Sequence, residues 1–263
     1  MRNEKLKVGV FDSGLGGLTV VQALKQVIKN VELFYIADTK HAPYGEKTHA
    51  EILQYSLDIT DYFIEHHDID ALVVACNTAT SAAITTLREK YPTLILVGTE
   101  PAIKPAIEQT KTANVGVLAT PATLSGDKYQ ALVETLSSMK QVKLFEQACP
   151  GLVEHIENAT LESRECMALL ETWLSPMRDE DVDTIVLGCT HYPLASKVIK
   201  KTMKKEVILL DSGKAIAQRL LMLLREKGHK NEGLLKETFY TTGVIDQKVV
   251  TRLVGKDIKL ITL

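Results

Sequence analysis

One pattern occurs twice in this chain and limits what it can fold into. Residues 70–80 read DALVVACNTAT, and residues 183–193 read DTIVLGCTHYP. Each copy contains an aspartate, a short apolar run, a small residue, a cysteine and then polar residues. A short apolar run that ends at such breakers predicts a buried strand. Cys76 and Cys189 therefore each follow the carboxyl end of a strand, which is where open α/β sheets bind ligands.

The segments around the two copies follow a common order. Lys7–Phe11 predicts a strand, the turn DSGLGG follows at residues 12–17, and a helical pattern begins at Leu18. The stretch NVGVLAT at Asn114–Thr120 repeats KVGVFDS at Lys7–Ser13 as a strand and a polar turn. Strand, helix, strand, helix, strand, cysteine and helix thus occur twice, each time over a length typical of one α/β domain.

These patterns predict two similar doubly wound α/β domains that face each other across an active-site cleft. Residues 1–98 and 210–263 are expected to form the first domain, which carries Asp12 and Cys76. The strands and the helix of the tail most simply complete this domain. Residues 99–209 are expected to form the second domain, which carries Glu157, Cys189 and His191.

Composition excludes several classes of function. The chain has 263 residues, 45% hydrophobic and 24% charged, with a net charge of -2. This balance gives no electrostatic case for nucleic-acid binding. No apolar segment approaches the roughly 18 residues of a membrane span, and the first residues have no signal-peptide core. We therefore expect a cytoplasmic protein without nucleic-acid or membrane partners.

The four cysteines do not have the spacing of a metal or redox motif. None lies in a C-x-x-C pair, and the histidines do not complete a zinc pattern. Cys166 lies inside a helical pattern and is interpreted as a small buried hydrophobic residue, and Cys149 similarly. Cys76 and Cys189 differ because each precedes a polar turn and a predicted helix.

Two such thiols suit an acid–base reaction. The field at a helix N-terminus lowers the pKa of a cysteine, so a thiolate is accessible near neutral pH. With Asp12 near one thiol and His191 near the other, one thiolate could remove a proton from a carbon while the opposite thiol returns one. No pyridoxal-lysine motif and no strong nucleotide fingerprint is present, so neither a cofactor nor a metal is expected. The glycine-rich turn at residues 12–17 favours anion binding over a purely structural turn.

At these residues the sequence resembles the cofactor-independent aspartate/glutamate racemases, and within them the branch that acts on glutamate. The two cysteine motifs, ACNTA and GCTHYP, are highly specific. The resemblance spans nearly the whole chain, through FDSGLGGLTV at Phe11–Val20, APYG at Ala42–Gly45, ACNTAT at Ala75–Thr80, TEPAIKPA at Thr99–Ala106, TPAT at Thr120–Thr123, CPGLVEHIE at Cys149–Glu157 and GCTHYPL at Gly188–Leu194.

The resemblance implies roles for individual residues. Cys76 and Cys189 resemble the paired acid/base thiols, each serving one enantiomer, with Asp12 assisting Cys76 and His191 assisting Cys189. A glutamate also assists the second cysteine; Glu154 and Glu157 are both candidates, and the spacing from the Cys-Pro pair favours Glu157. The residues that match the family's substrate contacts are Asp12, Ser13, Tyr44, Gly45, Asn77, Thr78, Thr120, Thr190 and His191.

The resemblance also implies an activity and a setting. It implies that L- and D-glutamate are interconverted without a cofactor, which supplies D-glutamate for bacterial peptidoglycan and so for the cell wall and cell shape. It implies a homodimer as well.

Three other interpretations remain open from the sequence. The substrate could be aspartate or another small acid, because the length of the binding cleft and not the motifs decides this. A two-lobed module that closes on a carboxylate would explain the glycine turn but gives the matched thiols no task. A dithiol redox protein would need the two cysteine Cα atoms to approach within about 7 Å.

Overall fold

The computed structural model describes residues 5–137, 142–245, 249–251 and 258–263. By the contacts between its Cα atoms, the chain divides into two compact units. The first unit comprises Met1–Thr99 and Gly213–Leu263, and the second comprises Glu100–Ser212.

Strands and helices alternate along the described chain. The first part of the first unit contains β1 (Leu6–Asp12), α1 (Leu18–Val27), β2 (Val31–Ala37), α2 (His49–His67), β3 (Ala71–Val74), α3 (Asn77–Lys90) and β4 (Ile95–Gly98). The second unit contains α4 (Ile103–Gln109), β5 (Asn114–Ala119), α5 (Pro121–Leu124), α6 (Asp127–Ser137), β6 (Lys143–Ala148), α7 (Leu152–Glu157), α8 (Arg164–Asp179), β7 (Thr184–Gly188), α9 (Ser196–Met203) and β8 (Ile208–Leu210). The chain then returns to the first unit with α10 (Gly213–Glu226), β9 (Lys236–Thr241) and β10 (Leu260–Thr262). Short 3₁₀ helices lie at Tyr44–Glu46 and Tyr192–Ala195. In the residues described, no helix combines the length and the apolar character needed to cross a bilayer.

The sheet of the first unit is parallel and is covered on both faces. Its described strands lie in the order β10-β9-β2-β1-β3-β4, and every pairing is parallel. Buried side chains of α1 and α10 form one apolar cluster with the sheet, and those of α2 and α3 form another. The tail adds strands to this sheet, because β9 pairs along β2 from Glu32↔Lys236 to Ala37↔Thr241.

The sheet of the second unit repeats the central part of the first. Its described order is β6-β5-β7-β8, again parallel, and it corresponds strand by strand to β2-β1-β3-β4. Helices α4 and α6 pack on one face. Helix α8 lies on the other, since a Cβ at Gly116 of β5 would approach the sulfur of Met177 to 2.8 Å. The predicted doubly wound α/β fold is therefore confirmed for both units.

The aspartate that opens each copy of the repeated pattern serves the fold. Asp70 precedes β3, and its Oδ2 accepts a hydrogen bond from the backbone N–H of Lys7, 2.8 Å away. Asp183 precedes β7, and its Oδ2 accepts from the N–H groups of Lys111 at 2.7 Å and Thr112 at 3.1 Å. Each carboxylate thus satisfies backbone donors at the beginning of the neighbouring strand or just before it. This explains why an aspartate stands at the same place twice.

His67, the last residue of α2, makes the first unit sensitive to acid. Its ring stacks on that of Phe34 with centroids 4.1 Å apart, and its Nε2 is buried without a hydrogen-bond partner among the described residues. Burial lowers the pKa of His67, and the positive charges of His66 and Lys7 lower it further. The unfolded chain recovers the ordinary pKa of about 6.5 and therefore takes up the proton more readily. The stability contributed by neutral His67 is present above that pH and is lost as the pH falls through the folded-state pKa.

We expect His67→Phe to lose less unfolding free energy than the unmodified protein when the pH falls from about 7 to about 5. The difference is a fraction of a kcal/mol, because the ring is partly exposed and solvent screens its charge. Urea unfolding at both pH values measures it. His49→Gln is the matched control, because this histidine is exposed and lies at the other end of α2. Equal pH dependence in His67→Phe and the unmodified protein would contradict this account.

Candidate functional site

Polar residues collect at the carboxyl ends of β1 and β3 in the first unit. These strands are neighbours, and the pairing Phe11↔Val74 is followed by a hydrogen bond from the N–H of Ala75 to the carbonyl of Phe11, 2.8 Å long. Asp12 and Cys76 therefore leave the sheet side by side. Asp12 is fully buried, and its Oδ2 accepts from the N–H of Gly14 at 3.1 Å.

Cys76 is the N-cap of α3. Its Sγ accepts a hydrogen bond from the N–H of Ala79 at 3.4 Å, and its carbonyl accepts from Thr80 at 2.9 Å. The thiol also lies 3.7 Å from the Oγ of Ser13. Hydrogen bonding and the field of the helix N-terminus both favour a thiolate at this place.

Asn77 offers an unused acceptor beside this thiol. The residue is only 6% exposed, yet its Oδ1 is buried and has no hydrogen-bond partner among the described residues. A buried amide oxygen without a partner costs stability. A ligand N–H group bound at the start of α3 would remove that cost.

Tyr44 belongs to the same part of the first unit. It is buried, and its hydroxyl donates to Oδ2 of Asp38 at 2.5 Å. Burial raises its pKa, and the negative charges of Asp38, Cys76 and Asp12 raise it further. Tyr44 is therefore a permanent hydrogen-bond donor. It begins the 3₁₀ helix that also contains Gly45.

Asp38 is a residue of this site that the sequence analysis did not single out. It follows β2 and is 1% exposed. Its carboxylate accepts hydrogen bonds from the hydroxyl groups of Tyr44 and Thr242, the latter at 2.6 Å, and lies 3.0 Å from Nδ1 of His41. Its signal was present, because it directly follows a strand next to the one that ends in Asp12.

In the second unit, Cys189 follows β7 directly. Gly188 lies opposite Ala119 of β5, and a Cβ at this glycine would come within 2.9 Å of both the Cβ of Ala119 and the carbonyl oxygen of Leu118. This close approach explains the small residue before the cysteine. The same register brings Thr120, which follows β5, to the place that Ser13 occupies in the first unit.

Cys189 is not the N-cap of an α-helix, although the polar turn and the later helix predicted after it are both present. It is followed by a turn and by the 3₁₀ helix Tyr192–Ala195, and α9 begins only at Ser196. The reason is Pro193, which occupies the position equivalent to Thr80 in the first unit. The N–H of Thr80 donates to the carbonyl of Cys76, whereas a proline has no N–H to donate. The carbonyl of Cys189 accepts instead from Tyr192 at 3.1 Å.

Cys189 has an imidazole as its partner in place of a helix N-terminus. Its Sγ lies 3.9 Å from Nδ1 of His191, and Nε2 of the same ring lies 2.9 Å from Oε1 of Glu157. The imidazole side chain is 3% exposed and the glutamate side chain 31%. If Nε2–H donates to the carboxylate, Nδ1 is the nitrogen that faces the thiol as an acceptor. Thiol, imidazole and carboxylate thus form one chain of contacts.

The two glutamates of α7 occupy different surroundings. Glu157 contacts His191, whereas Glu154 lies close enough to Tyr192 for its charge to act on the phenol. Burial raises the pKa of Tyr192 most, followed by the charges of Cys189, Cys149 and Glu154. Of the other residues suggested by the sequence, Thr190 directly follows Cys189 and is buried, and Thr120 caps α5 by accepting from the N–H of Thr123 at 3.2 Å.

All four cysteines lie within the described residues, and all are free thiols. Cys166 is fully buried in α8, and burial raises its pKa. Cys149 is also buried; burial and the charge of Cys189 raise its pKa. Both therefore stay protonated. Over the described ranges, no group of three or more His, Cys, Asp or Glu side chains is placed to hold a metal ion.

Comparison with known proteins gives consistent results. The family model for Asp/Glu/Hydantoin racemase matches residues 9–220. A glutamate racemase from Sulfurovum sp. (strain NBC37-1) is 62% identical over 249 residues, which cover 95% of this chain and 94% of that protein.

Solved structures agree with the sequence relatives. Glutamate racemase isoform RacE1 from Bacillus anthracis has a TM-score of 0.85 and 31% identity, covering 98% of this chain and 97% of that one. The glutamate racemase from Francisella tularensis subsp. tularensis SCHU S4, in complex with D-glutamate, has a TM-score of 0.84 and 26% identity over 98% of this chain and 97% of its own. The family model alone spans most of the chain, so the resemblance seen in the sequence is confirmed: the chain belongs to the Asp/Glu/hydantoin racemase family and is an isomerase.

Proposed function

We propose that this chain is a glutamate racemase, which interconverts L- and D-glutamate by moving the α-proton between two cysteines. The observation that carries the proposal is that Cys76 and Cys189 follow equivalent strands of two repeated sheets, each with its own polar partners. The names of the relatives and the D-glutamate in the Francisella tularensis structure support glutamate as the substrate.

The reaction conserves protons and needs no redox change. One cysteine reacts as a thiolate and takes the α-proton, and the electron pair of the broken C–H bond stays on the α-carbon. The other cysteine reacts as a thiol and gives its proton to the opposite face of that carbon. The cycle ends with the two protonation states exchanged, ready for the other enantiomer.

Each thiol has its own neighbouring groups that help it to lose or regain its proton. At Cys76, the N–H of Ala79 and the N-terminus of α3 stabilise the thiolate, and Asp12 assists the proton transfer. At Cys189, Nδ1 of His191 takes or returns the thiol proton, and the carboxylate of Glu157 stabilises the imidazolium that results. The two transfers therefore use different chemistry at equivalent positions.

Substrate binding uses the buried donors and acceptors around these thiols. The free Oδ1 of Asn77 accepts a hydrogen bond from the α-ammonium group. The N-terminus of α3, with Thr78, attracts a carboxylate. Ser13, Tyr44, Gly45, Thr120, Thr190 and His191 supply the remaining polar contacts in this proposal.

The product suggests the setting in which the enzyme works. We propose that it supplies D-glutamate for bacterial peptidoglycan and acts in the cytoplasm as a homodimer. The resemblance of the cysteine motifs to those of the aspartate/glutamate racemases supports this.

We expect the purified protein to racemise L- and D-glutamate without added cofactor and to act more slowly on L-aspartate. Circular dichroism follows the loss of optical activity for each amino acid. In heavy water, deuterium should enter the α-position as racemisation proceeds, which a redox reaction of the thiols would not produce. Faster turnover of L-aspartate than of L-glutamate would overturn the assignment of glutamate as the substrate. Binding of glutamate without any exchange would favour a carboxylate-binding module.

A further inference from the structure

Tyr35 of β2 reaches the turn that follows β1. Its side chain is fully buried, and its hydroxyl donates a hydrogen bond to the carbonyl oxygen of Gly14, 2.7 Å away. The N–H of the same glycine donates to Oδ2 of Asp12 at 3.1 Å. Gly14 is therefore held on its carbonyl side by Tyr35 and on its amide side by Asp12.

Packing at Gly17 connects the same two side chains. A Cβ at this glycine would lie 2.5 Å from the Cβ of Asp12, 2.9 Å from the Tyr35 hydroxyl oxygen and 3.0 Å from Cε2 of the Tyr35 ring. The backbone of Gly17 thus lies tightly against both Asp12 and Tyr35. Interiors packed this closely transmit small displacements.

The turn also carries Ser13, whose Oγ lies 3.7 Å from the Sγ of Cys76. Asp12 and Ser13 both depend on the conformation of this turn, and a buried hydrogen bond to its backbone restricts that conformation. From these contacts we infer that Tyr35 is a positioning residue for proton transfer at Cys76, acting through Gly14 on Asp12 and Ser13. The inference rests on the proposed function.

Tyr35→Phe is the direct test, because it removes the hydroxyl and keeps the ring. We expect kcat/KM for glutamate racemisation to fall about 5–10-fold, the effect of one buried hydrogen bond. The fall is equal in both directions, because the two enantiomers have equal free energy. Tyr129→Phe is the matched control in the second unit: that tyrosine is also buried, and its hydroxyl donates to Glu146 at 2.5 Å. It should leave kcat/KM within about twofold, since its partner Glu146 lies within β6, opposite Val117 of β5, and does not follow a strand end as the thiols do.

Isotope effects separate positioning from general loosening of the fold. Each enantiomer is supplied with deuterium at the α-carbon, and the primary isotope effect on kcat/KM is measured. If the step at Cys76 is slowed, the effect rises for the enantiomer whose α-proton Cys76 removes and falls for the other. Cys189→Ser identifies that enantiomer, because its remaining thiol exchanges only that α-proton. A change that slows both steps equally leaves both isotope effects unaltered.

A double-mutant cycle tests the route through Asp12. In an Asp12→Asn background, Tyr35→Phe should lower kcat/KM less than about twofold, because the group it positions has already been changed. All assays are made at a temperature at which circular dichroism shows each variant folded. Unaltered isotope effects in Tyr35→Phe, or full additivity with Asp12→Asn, would overturn the inference. An unmodified protein that does not racemise glutamate would instead overturn the proposed function.

Discussion

Cys76→Ser and Cys189→Ser are each expected to lower kcat/KM for glutamate racemisation by about 10³-fold or more, near the upper range of general acid–base catalysis. Serine preserves the shape of these buried side chains, but its hydroxyl is far too weak an acid to exchange a proton with carbon near neutral pH. Both variants should still bind glutamate, because the binding groups are unchanged. Circular dichroism measures the rates, and isothermal titration calorimetry measures the binding.

Proton exchange gives these two variants opposite signatures. A single remaining thiol can remove an α-proton and return a solvent deuteron to the same face, so deuterium enters without inversion. Cys76→Ser should exchange one enantiomer and Cys189→Ser the other. Cys166→Ala, which changes a buried thiol in α8, is the control and should keep its activity. Exchange of the same enantiomer in both variants would contradict the assignment of one thiol to each face.

His191→Asn is expected to lower kcat/KM by about 100-fold, the lower end of general acid–base contributions. The variant keeps a polar side chain but removes the nitrogen that lies 3.9 Å from the Cys189 thiol. Glu157→Gln should cost about tenfold, the loss of one charge-assisted hydrogen bond of about 1.5 kcal/mol. Both variants should raise the primary isotope effect for the enantiomer whose proton Cys189 removes. Steady-state kinetics with α-deuterated glutamate measures both quantities.

Glu154→Gln is the matched control for Glu157→Gln. It makes the same change on the same helix, one turn earlier, at a carboxylate whose charge acts on Tyr192. We expect its kcat/KM to stay within about threefold of that of the unmodified enzyme, because the electrostatic effect of a charge on the reacting groups weakens with distance. A larger loss in Glu154→Gln than in Glu157→Gln would show that the carboxylate supporting His191 has been wrongly assigned.

The parts of the fold that the sequence predicts are those determined by local pattern. The apolar runs before Cys76 and Cys189 end at breakers, so the strands and the positions of both thiols follow from a few residues each. The sequence places the tail in the first unit only as the simplest arrangement of its strands and helix. The 3₁₀ helix after Cys189 could also have been foreseen, because Pro193 removes the donor that an α-helix needs four residues after its cap.

Other features depend on contacts between distant segments and leave no local signal. Glu154 and Glu157 lie three residues apart on one helix, so periodicity places them on the same side and cannot choose between them. The choice depends on where His191 lies. Tyr35 has the sequence appearance of an ordinary strand residue, and its hydrogen bond to Gly14 joins positions 21 residues apart. Such a contact is visible only once β1 and β2 are paired.

The pairing of β9 along β2 has a consequence for biosynthesis. A ribosome makes β1 to β4 and then the whole second unit before β9 emerges, so for that time β2 is an edge strand with open backbone donors and acceptors. Open edges of this kind invite pairing with other chains. Premature termination within the second unit would therefore leave a product prone to aggregation, and nascent chains depend on prompt completion or on chaperones until the final segment arrives.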